Sequence, residues 1–279
     1  MRSMPTTLRA LVLACLAMVA IGAGDAAAPQ PVRVKDVSWC RLDDGRPAML
    51  VRFVVDREWH MYWMNPGDSG APPTAKAALP DGWRLGAPIW PRPRVQRTDG
   101  ETLYVHEGEW GWLLPVEGPE PRAVPDAPIE LSLSWMVCKT SCTVGKASVR
   151  VPPPAGTLMA PPESVGGSPF PLALGPDDSC TVSRERLRIR CRARGRMSAS
   201  FIQASDPGVG TEAEGAPVAV PVQDGFANLD LGLSVRPQDA QGKELGVSGL
   251  LLLGDRPNDP CVWIRRNIPE SGSAGMQQP

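Results

Sequence analysis

The sequence has few aromatic residues and very little histidine. Aromatic residues occupy 5% of the 279 positions, and nine of these fifteen residues are Trp. Only two His are present, so a closed metal site built from several imidazoles is not expected. Neither sign of charge dominates, because the formal net charge is −1. This balance excludes a nucleic-acid binder that is held mainly by contacts to phosphate groups.

Proline and glycine are the abundant residues, with 32 Pro and 28 Gly in the chain. Proline removes a backbone donor and breaks helix interiors, so this composition excludes a helical bundle and a long coiled coil. The hydrophobic share is 42%, which is too high for a disordered chain. The composition therefore predicts a folded protein with a buried core and many turns.

The amino-terminal residues 1–28 resemble a secretory signal. Arg2 and Arg9 provide the positive start, residues 11–21 the apolar segment, and residues 26–28 a small-residue cleavage site. A lipid anchor on Cys15 is disfavoured, because the apolar run continues past that cysteine. We therefore expect a mature protein that is exported to the periplasm without a lipid anchor.

The rest of the chain divides at a Pro/Gly-rich stretch. Residues 153–168 are rich in Pro and Gly. They predict a linker between a first domain at 29–152 and a second domain at 169–268. The polar tail at 269–279 is expected to be disordered. No segment after the signal is long enough to span a membrane, because the best apolar run, residues 247–253, has the length of a strand.

Both regions show alternation with a period of two residues. In residues 129–137 the odd positions are apolar and most of the even positions are polar, and residues 187–193 and 229–235 repeat the pattern. Short alternating runs separated by turns are typical of antiparallel sheets with one buried face. The sequence therefore predicts an all-β protein with two antiparallel β-sandwiches joined by the linker.

Two cysteines at the end of a predicted strand are placed for chemistry. The strand that ends at Val137 runs into Cys138, and Cys142 begins the next strand. A disulfide between them would close a loop so small that chain entropy gives only about 2 kcal/mol of stabilisation. Tight, exposed disulfides tend to exchange, so this pair is a candidate redox centre. Two alternatives stay open: a small structural bridge, and a thiolate pair that binds a soft metal such as Cu(I).

The remaining cysteines of the mature chain are candidates for structural disulfides, because an even number of cysteines in an oxidising compartment favours pairing. Cys180 and Cys191 flank a predicted turn near residues 185–186, which would place them opposite each other on adjacent strands. We therefore expect a bond between these two. A bond between Cys40 and Cys261 would then join the two domains, and the alternative is that either one stays a buried thiol.

Three segments carry a resemblance to a known family. They run from Trp59 to Pro73, from Trp90 to Pro93 and from Trp135 to Cys142. In order and spacing they resemble the motifs W-H-x-Y-W-x-N-P-G-D-S-G-x-P, W-P-x-P and W-L-V-C-x-x-x-C of the DsbD amino-terminal-domain family. This family includes thiol:disulfide interchange proteins and the related copper-sensitivity suppressor ScsB. The resemblance covers residues 35–152, and a weaker similarity to longer members extends through the second region.

The resemblance implies an immunoglobulin-like periplasmic domain of the protein-disulfide reductase type, with Cys138 and Cys142 as the redox pair and without a cofactor or metal. Such a pair takes electrons from a membrane partner and passes them to periplasmic thioredoxin-like proteins. Full-length members continue into a transmembrane electron carrier and a thioredoxin-like domain, which these 279 residues do not contain. We therefore expect a separate membrane electron carrier. The alternative function is a non-catalytic module that binds Cu(I) or docks a partner in copper tolerance or cytochrome maturation.

For several motif residues the sequence leaves two roles open. They could lie at the cysteine pair, where they would shield it or form a docking surface, or they could fill the core of the sandwich. His60 is expected to be packed or hydrogen-bonded near one end of the sandwich, and His106 to be exposed in a loop. Residues 65–68 predict a tight turn with a conformational role. The residues whose roles stay open are Trp59, His60, Tyr62, Trp63 and Trp135.

Overall fold

The structure is a computed structural model that describes residues 30–269, except 121, 205, 207, 213–214, 237 and 239–243. The predicted signal with Cys15, and the predicted tail beyond residue 269, lie outside the described residues. The described part contains β-strands and turns and no α-helix, which confirms the predicted all-β class. In this part, no helix has the length and hydropathy to cross a membrane.

The first region builds two antiparallel sheets. Their strands are β1 (Val32–Arg41), β2 (Pro47–Val55), β3 (His60–Gly67), β4 (Thr74–Ala78), β5 (Arg84–Leu85), β6 (Arg94–Thr98), β7 (Glu101–His106), β8 (Glu109–Glu117), β9 (Ile129–Cys138) and β10 (Cys142–Val151). One sheet has the strand order β1-β2-β8-β5, and the other has the order β10-β9-β3-β7-β6, with β4 paired to β9.

These two sheets enclose a core rich in aromatic residues. Phe53 of β2 stacks on Trp110 of β8, with ring centroids 4.9 Å apart. The same Phe53 meets Trp135 of β9 edge to face at 5.7 Å, which joins the two sheets. The alternation predicted for residues 129–137 is confirmed, because within this range the odd positions are buried and the even ones are partly or fully exposed. The first region is therefore a β-sandwich.

The second region also builds two facing antiparallel sheets. Their orders are β13-β14-β19-β16, with β18 paired to β19, and β17-β15-β20-β21. A short β11-β12 hairpin precedes them. The strands are β11 (Ser164–Val165), β12 (Ser168–Pro169), β13 (Ser179–Val182), β14 (Arg186–Arg192), β15 (Ala199–Gln203), β16 (Val209–Thr211), β17 (Val218–Val220), β18 (Val222–Gln223), β19 (Phe226–Val235), β20 (Gly246–Leu253) and β21 (Cys261–Asn267).

The strand β20 is buried on both of its faces. Leu250 and Leu252 pack into the core of the first region, whereas Leu251 and Leu253 pack into the core of the second. An antiparallel strand with one solvent-exposed face would alternate apolar and polar residues. The uninterrupted apolar run at 250–253 follows from the position of β20 between the two cores.

The Pro/Gly-rich stretch predicted as a linker contacts the first region. Val165 of β11 packs in a small cluster with Leu50 and Leu113. The backbone amide of Arg41 donates to the carbonyl oxygen of Met159 at 2.8 Å. The division at 153–168 stays a prediction, and the contacts show that these residues are not a free tether.

A buried arginine connects the first region to the second. Arg92, between Pro91 and Pro93, has 4% of its surface exposed. Its guanidinium donates to three backbone carbonyl oxygens of the loop that joins β20 to β21. These acceptors are Gly254 at 2.6 Å, Pro260 at 3.2 Å and Asp259 at 3.4 Å.

Candidate functional site

The Cys138 and Cys142 side chains form a disulfide at the tip of the β9-β10 hairpin. Cys138 is the last residue of β9, Cys142 is the first of β10, and the two are directly paired across the strands with their Cα atoms 4.1 Å apart. The amide of Lys139 donates to the carbonyl of Ser141 at 3.1 Å and closes the turn. The predicted placement of the two cysteines in the connection of a hairpin is confirmed.

The two sulfur-bearing residues differ sharply in exposure. Cys138 has 3% of its surface exposed and packs with Tyr62, Leu103 and Val105. Cys142 is exposed at the start of β10. A thiolate of another protein can therefore approach the Cys142 residue, while the Cys138 residue lies behind it against the sheet.

The strand β3 places His60 and Tyr62 beside this disulfide. His60 is paired directly with Cys138 across the β3-β9 ladder. The Nε2 atom of His60 lies 3.3 Å from the Tyr62 hydroxyl, and the two rings meet edge to face with centroids 5.2 Å apart. Both side chains and both cysteines line an open pocket of about 210 Å³. The expectation of a packed, hydrogen-bonded His60 agrees with this geometry.

The turn that follows β3 holds the neighbouring β6-β7 hairpin in place. The Asp68 carboxylate accepts a hydrogen bond from the amide of Thr102 at 2.7 Å, and the Ser69 hydroxyl donates to the Glu101 carboxylate at 3.0 Å. The Asn65 side chain accepts from the amide of Gly67 at 3.1 Å, which closes the turn locally. The tight turn predicted over residues 65–68 is wrong in its position, because residues 65–67 belong to β3 and the chain bends at residues 68–69. The contacts of Asn65 and Asp68 are nevertheless of the conformational kind that was predicted.

Two glycines of this turn are required by shape. Gly67 has φ +90° and Gly70 has φ +102°, a region that side chains rarely adopt. A methyl group on Gly67 would overlap the carbonyl oxygen of Thr102, and one on Gly70 would overlap the ring of Tyr62. The absence of a side chain at Gly70 therefore leaves the space that the ring of Tyr62 occupies next to His60.

The tip of the β6-β7 hairpin completes the pocket. Thr98, Asp99 and Glu101 line it together with the cysteines. Sequence reasoning missed these residues. The dipeptide Asp99-Gly100 is a strong signal for a hairpin turn, and both residues have positive φ in the structure. That signal identifies a turn but carries no information about which surface the turn contacts.

Lys139, between the two cysteines, forms an ion pair with Glu58 at 2.7 Å. A lysine beside a cysteine can favour its thiolate form. Its ammonium group is shared with the Glu58 carboxylate, whose pKa it lowers through their hydrogen bond. Both side chains are substantially exposed, so solvent screens the pair. The effect of Lys139 on a cysteine thiolate is therefore small.

The tryptophans of the motifs belong to the core of the sandwich. Trp63 has no exposed surface, and Trp135 has 3%. Trp59 is partly buried and packs against the same core. Of the five residues whose roles were open, only His60 and Tyr62 line the pocket with the cysteines.

His106 is not the exposed loop residue that the sequence predicted. It is the last residue of β7, pairs with Met61 and has 1% of its surface exposed. Its ring stacks on Trp110 with centroids 4.2 Å apart, and burial lowers its pKa to about 3. The segment after Val105 does contain a turn, but the strand continues through His106, whose side chain points inward.

The predicted Cys180–Cys191 disulfide is absent, and both residues are free thiols. Cys180 is paired with Ile189 instead of Cys191. The turn closes one residue earlier than predicted, because the Ser183 amide donates to the carbonyl of Arg186 and the Ser183 hydroxyl accepts from the Arg186 amide. That displacement moves the pairing by two positions, so the cysteines are not opposed.

Cys40 and Cys261 are also free, so the predicted disulfide between the two regions is absent. Cys40 packs with Leu42 and Leu50 in a small cluster, whereas Cys261 lies in the core of the first region. Burial raises the pKa of Cys40 to about 11 and that of Cys261 to about 12. The alternative of two buried thiols describes both residues.

No group of three or more His, Cys, Asp or Glu side chains is arranged to hold a metal ion among the residues that the structure describes. Cys138, Cys142 and His60 nevertheless line one pocket.

Comparison with known proteins identifies the first region. Residues 26–152 match the family model "Thiol:disulfide interchange protein DsbD, N-terminal". Residues 26–152 belong to the DsbD amino-terminal-domain family. The resemblance inferred from the three motifs is therefore confirmed, and the chain contains a domain of the thiol:disulfide interchange type. No curated protein sequence gives a significant match.

A solved structure with a similar fold covers most of the chain. The N-terminal periplasmic domain of ScsB from Proteus mirabilis superposes with a TM-score of 0.50 at 12% identity, covering 84% of this chain and 92% of that one. This match extends across both regions and supports the fold alone. The CupB6 tip adhesin from Pseudomonas aeruginosa aligns over 86% of this chain and 97% of the adhesin chain at 13% identity. Its TM-score of 0.17 is too low to indicate a shared fold.

Proposed function

We propose that the chain is a periplasmic thiol:disulfide exchange module that acts through Cys138 and Cys142. It would relay electrons between a separate membrane electron carrier and periplasmic thioredoxin-like proteins. The observation that carries the proposal is the disulfide at the hairpin tip, with Cys142 exposed and Cys138 buried. Membership of residues 26–152 in the DsbD amino-terminal-domain family supports the exchange chemistry.

The exchange runs in two balanced steps. A thiolate of the electron donor attacks Sγ of Cys142, a mixed disulfide forms, and the electron pair of the broken bond leaves on Sγ of Cys138. A second thiol of the donor then attacks the mixed disulfide and releases Cys142 as a thiolate. The chain now carries two electrons, and it gives them to the disulfide of an acceptor by the same steps in reverse.

The periplasmic location rests on two supports. The first 28 residues have the three-part pattern of a secretory signal, and the ScsB domain with the similar fold is itself periplasmic. An oxidising compartment maintains the resting pair as a disulfide until a donor reduces it.

Anaerobic electron transfer tests the proposal. The reduced full chain, mixed with an oxidised periplasmic thioredoxin-like protein, is expected to become oxidised at Cys138 and Cys142 while the partner gains two thiols. Intact mass and peptide mapping after alkylation measure both changes. Cys180→Ser is the matched control and is expected to transfer normally, because Cys180 lies outside the site. Dithiothreitol shows in a parallel reaction that the partner can be reduced. If the wild-type chain then remains fully reduced in the presence of this partner, the result would contradict the proposal.

The alternative function is Cu(I) binding by the reduced pair. It is favoured by the spacing of the two cysteines, whose thiolates, once the disulfide is reduced, are soft donors of the kind that suits Cu(I). Anaerobic Cu(I) titration distinguishes the two functions: loss of tight binding in Cys138→Ser supports a copper site, and equal binding in both proteins excludes it.

A further inference from the structure

His60 is held against the buried partner of the redox pair. In an antiparallel ladder, directly opposed residues have Cβ atoms about 4.5–5.5 Å apart and side chains on the same face. His60 and Cys138 are such a pair, at the start of β3 and the end of β9. They line the same pocket, and each has less than a tenth of its surface exposed. The imidazole therefore lies at the Cys138 end of the disulfide.

The orientation of this imidazole is fixed from the other side. Its Nε2 atom contacts the Tyr62 hydroxyl at 3.3 Å, and the Tyr62 ring is seated on Gly70. Within the described part of the chain, no protein group forms a hydrogen bond with Nδ1 of His60. One ring nitrogen is thus anchored, and the other is left for a group in the pocket.

A reduced Cys138 needs a proton acceptor. Burial raises the pKa of Cys40 to about 11, and that of Cys191 and Cys261 to about 12. Cys138 is also buried, with 3% of its surface exposed, so water has little access to its thiol as a proton acceptor. Only a thiolate attacks a disulfide sulfur. Without a base, a buried Cys138 thiol would therefore be slow to form the disulfide with Cys142, the step called ring closure below.

The surroundings leave His60 neutral at neutral pH. Burial lowers its pKa below the ordinary value of 6.5, and the carboxylate of Glu107 opposes this shift. Lys139 and Glu58 neutralise each other in an exposed ion pair. The other titratable groups around the pocket are Tyr62, Asp99 and Glu101.

We propose that His60 accepts the proton of the Cys138 thiol when the reduced pair closes to the disulfide. This inference rests on the proposed exchange function. In the step, Cys142 is already in a mixed disulfide with the acceptor. The proton of Cys138 moves to Nδ1 of His60, Sγ of Cys138 attacks Sγ of Cys142, and the acceptor leaves as a thiolate with the electron pair. In the reverse direction the imidazolium returns the proton to the departing Cys138 thiolate.

Oxidised glutathione separates this step from the one before it. The reduced full chain reacts first at Cys142 to give a glutathione adduct, and Cys138 then closes the ring and releases glutathione. Acid quenching and intact mass follow the adduct with time. For His60→Gln we expect adduct formation within about threefold of wild type and ring closure slowed by about 100-fold, as for loss of a general base. Lys146→Gln, at an exposed position of β10 outside the pocket, is the matched control and is expected to close within about threefold of wild type.

The pH profile of ring closure gives a second readout that needs no variant. In the wild type, the rate is expected to rise with pH up to the pKa of His60 and then to level off. In His60→Gln it is expected to rise about tenfold per pH unit across pH 5–9, since hydroxide then removes the proton. Tyr62→Phe keeps the ring but removes the hydroxyl, and we expect an intermediate loss.

The outcomes are distinct. Equal closure rates in wild type and His60→Gln, or a wild-type rate that rises tenfold per unit over the whole range, would overturn the role of His60 while the exchange function stands. A wild-type chain that forms no glutathione adduct would overturn both.

Discussion

Replacement of Cys138 by Ser is expected to make the mixed disulfide between Cys142 and its partner accumulate as a stable species. Cys142 is exposed at the start of β10, so a partner disulfide can reach its sulfur once the pair is reduced. In Cys138→Ser no second sulfur is present to release the partner. The opposite variant, Cys142→Ser, leaves only the buried Cys138 thiol. We expect it to react at least about tenfold more slowly, because burial reduces both access and thiolate fraction.

The measurement is the rate of adduct formation with oxidised glutathione, followed by intact mass on both single variants at the same pH. Trapping of a periplasmic thioredoxin-like protein on a non-reducing gel gives a second readout. Cys142→Ser is the matched control, because it keeps one thiol in the same hairpin. Faster adduct formation by Cys142→Ser than by Cys138→Ser would reverse the assignment of the attacking sulfur.

Arg92→Met is expected to lower the free energy of unfolding by about 3 kcal/mol. The guanidinium stays charged in proteins, and in its buried position it satisfies the carbonyl oxygens of Gly254, Asp259 and Pro260. Methionine has a similar length but no donor, so these acceptors are left without this partner, at a cost of about 1–3 kcal/mol for each buried one. The loss weakens the contact between the first region and the β20-β21 loop.

Urea unfolding of the full chain, followed by tryptophan fluorescence, measures this loss. Arg94→Met is the matched control two residues away. Arg94 is largely exposed and pairs with Glu107 at 3.4 Å, and such surface pairs contribute about 0.5 kcal/mol. Equal midpoints for the two variants would contradict the structural role of Arg92.

The sequence predicts the elements of this site better than their arrangement. Alternation along residues 129–137 predicts the strand, and the separation of four residues between Cys138 and Cys142 predicts a hairpin tip; both are local properties of the chain. The burial of Cys138 depends on its contact with β3 and β7, whose residues lie far away in the sequence. For that reason the difference in exposure between the two cysteines was not predicted.

Errors of register have a similar cause. A shift of the β13-β14 turn by one residue, set by Ser183, is enough to separate Cys180 from Cys191. Composition and spacing do not determine such a shift, because several turn centres are compatible with the same alternation. The inward position of His106 was missed because its neighbours, with Gly108 shortly after, favour a turn.

The apolar run at 250–253 shows what periodicity leaves undetermined. An unbroken run of this length is compatible with a strand or with a buried helical segment. In the structure it is a strand between two cores, with alternate residues facing each one. The sequence predicted the strand, but the second core around it is a property of the tertiary structure.

The reduction potential of the Cys138–Cys142 pair tests the exchange function most directly. The full chain is equilibrated with thiol buffers of defined potential, alkylated, and mapped by peptide mass so that the other cysteines do not contribute. An exchange-active pair is expected to have a potential above about −300 mV, the range in which disulfides are labile, regulatory or catalytic. A potential well below that value would mark a structural bridge and would contradict the account.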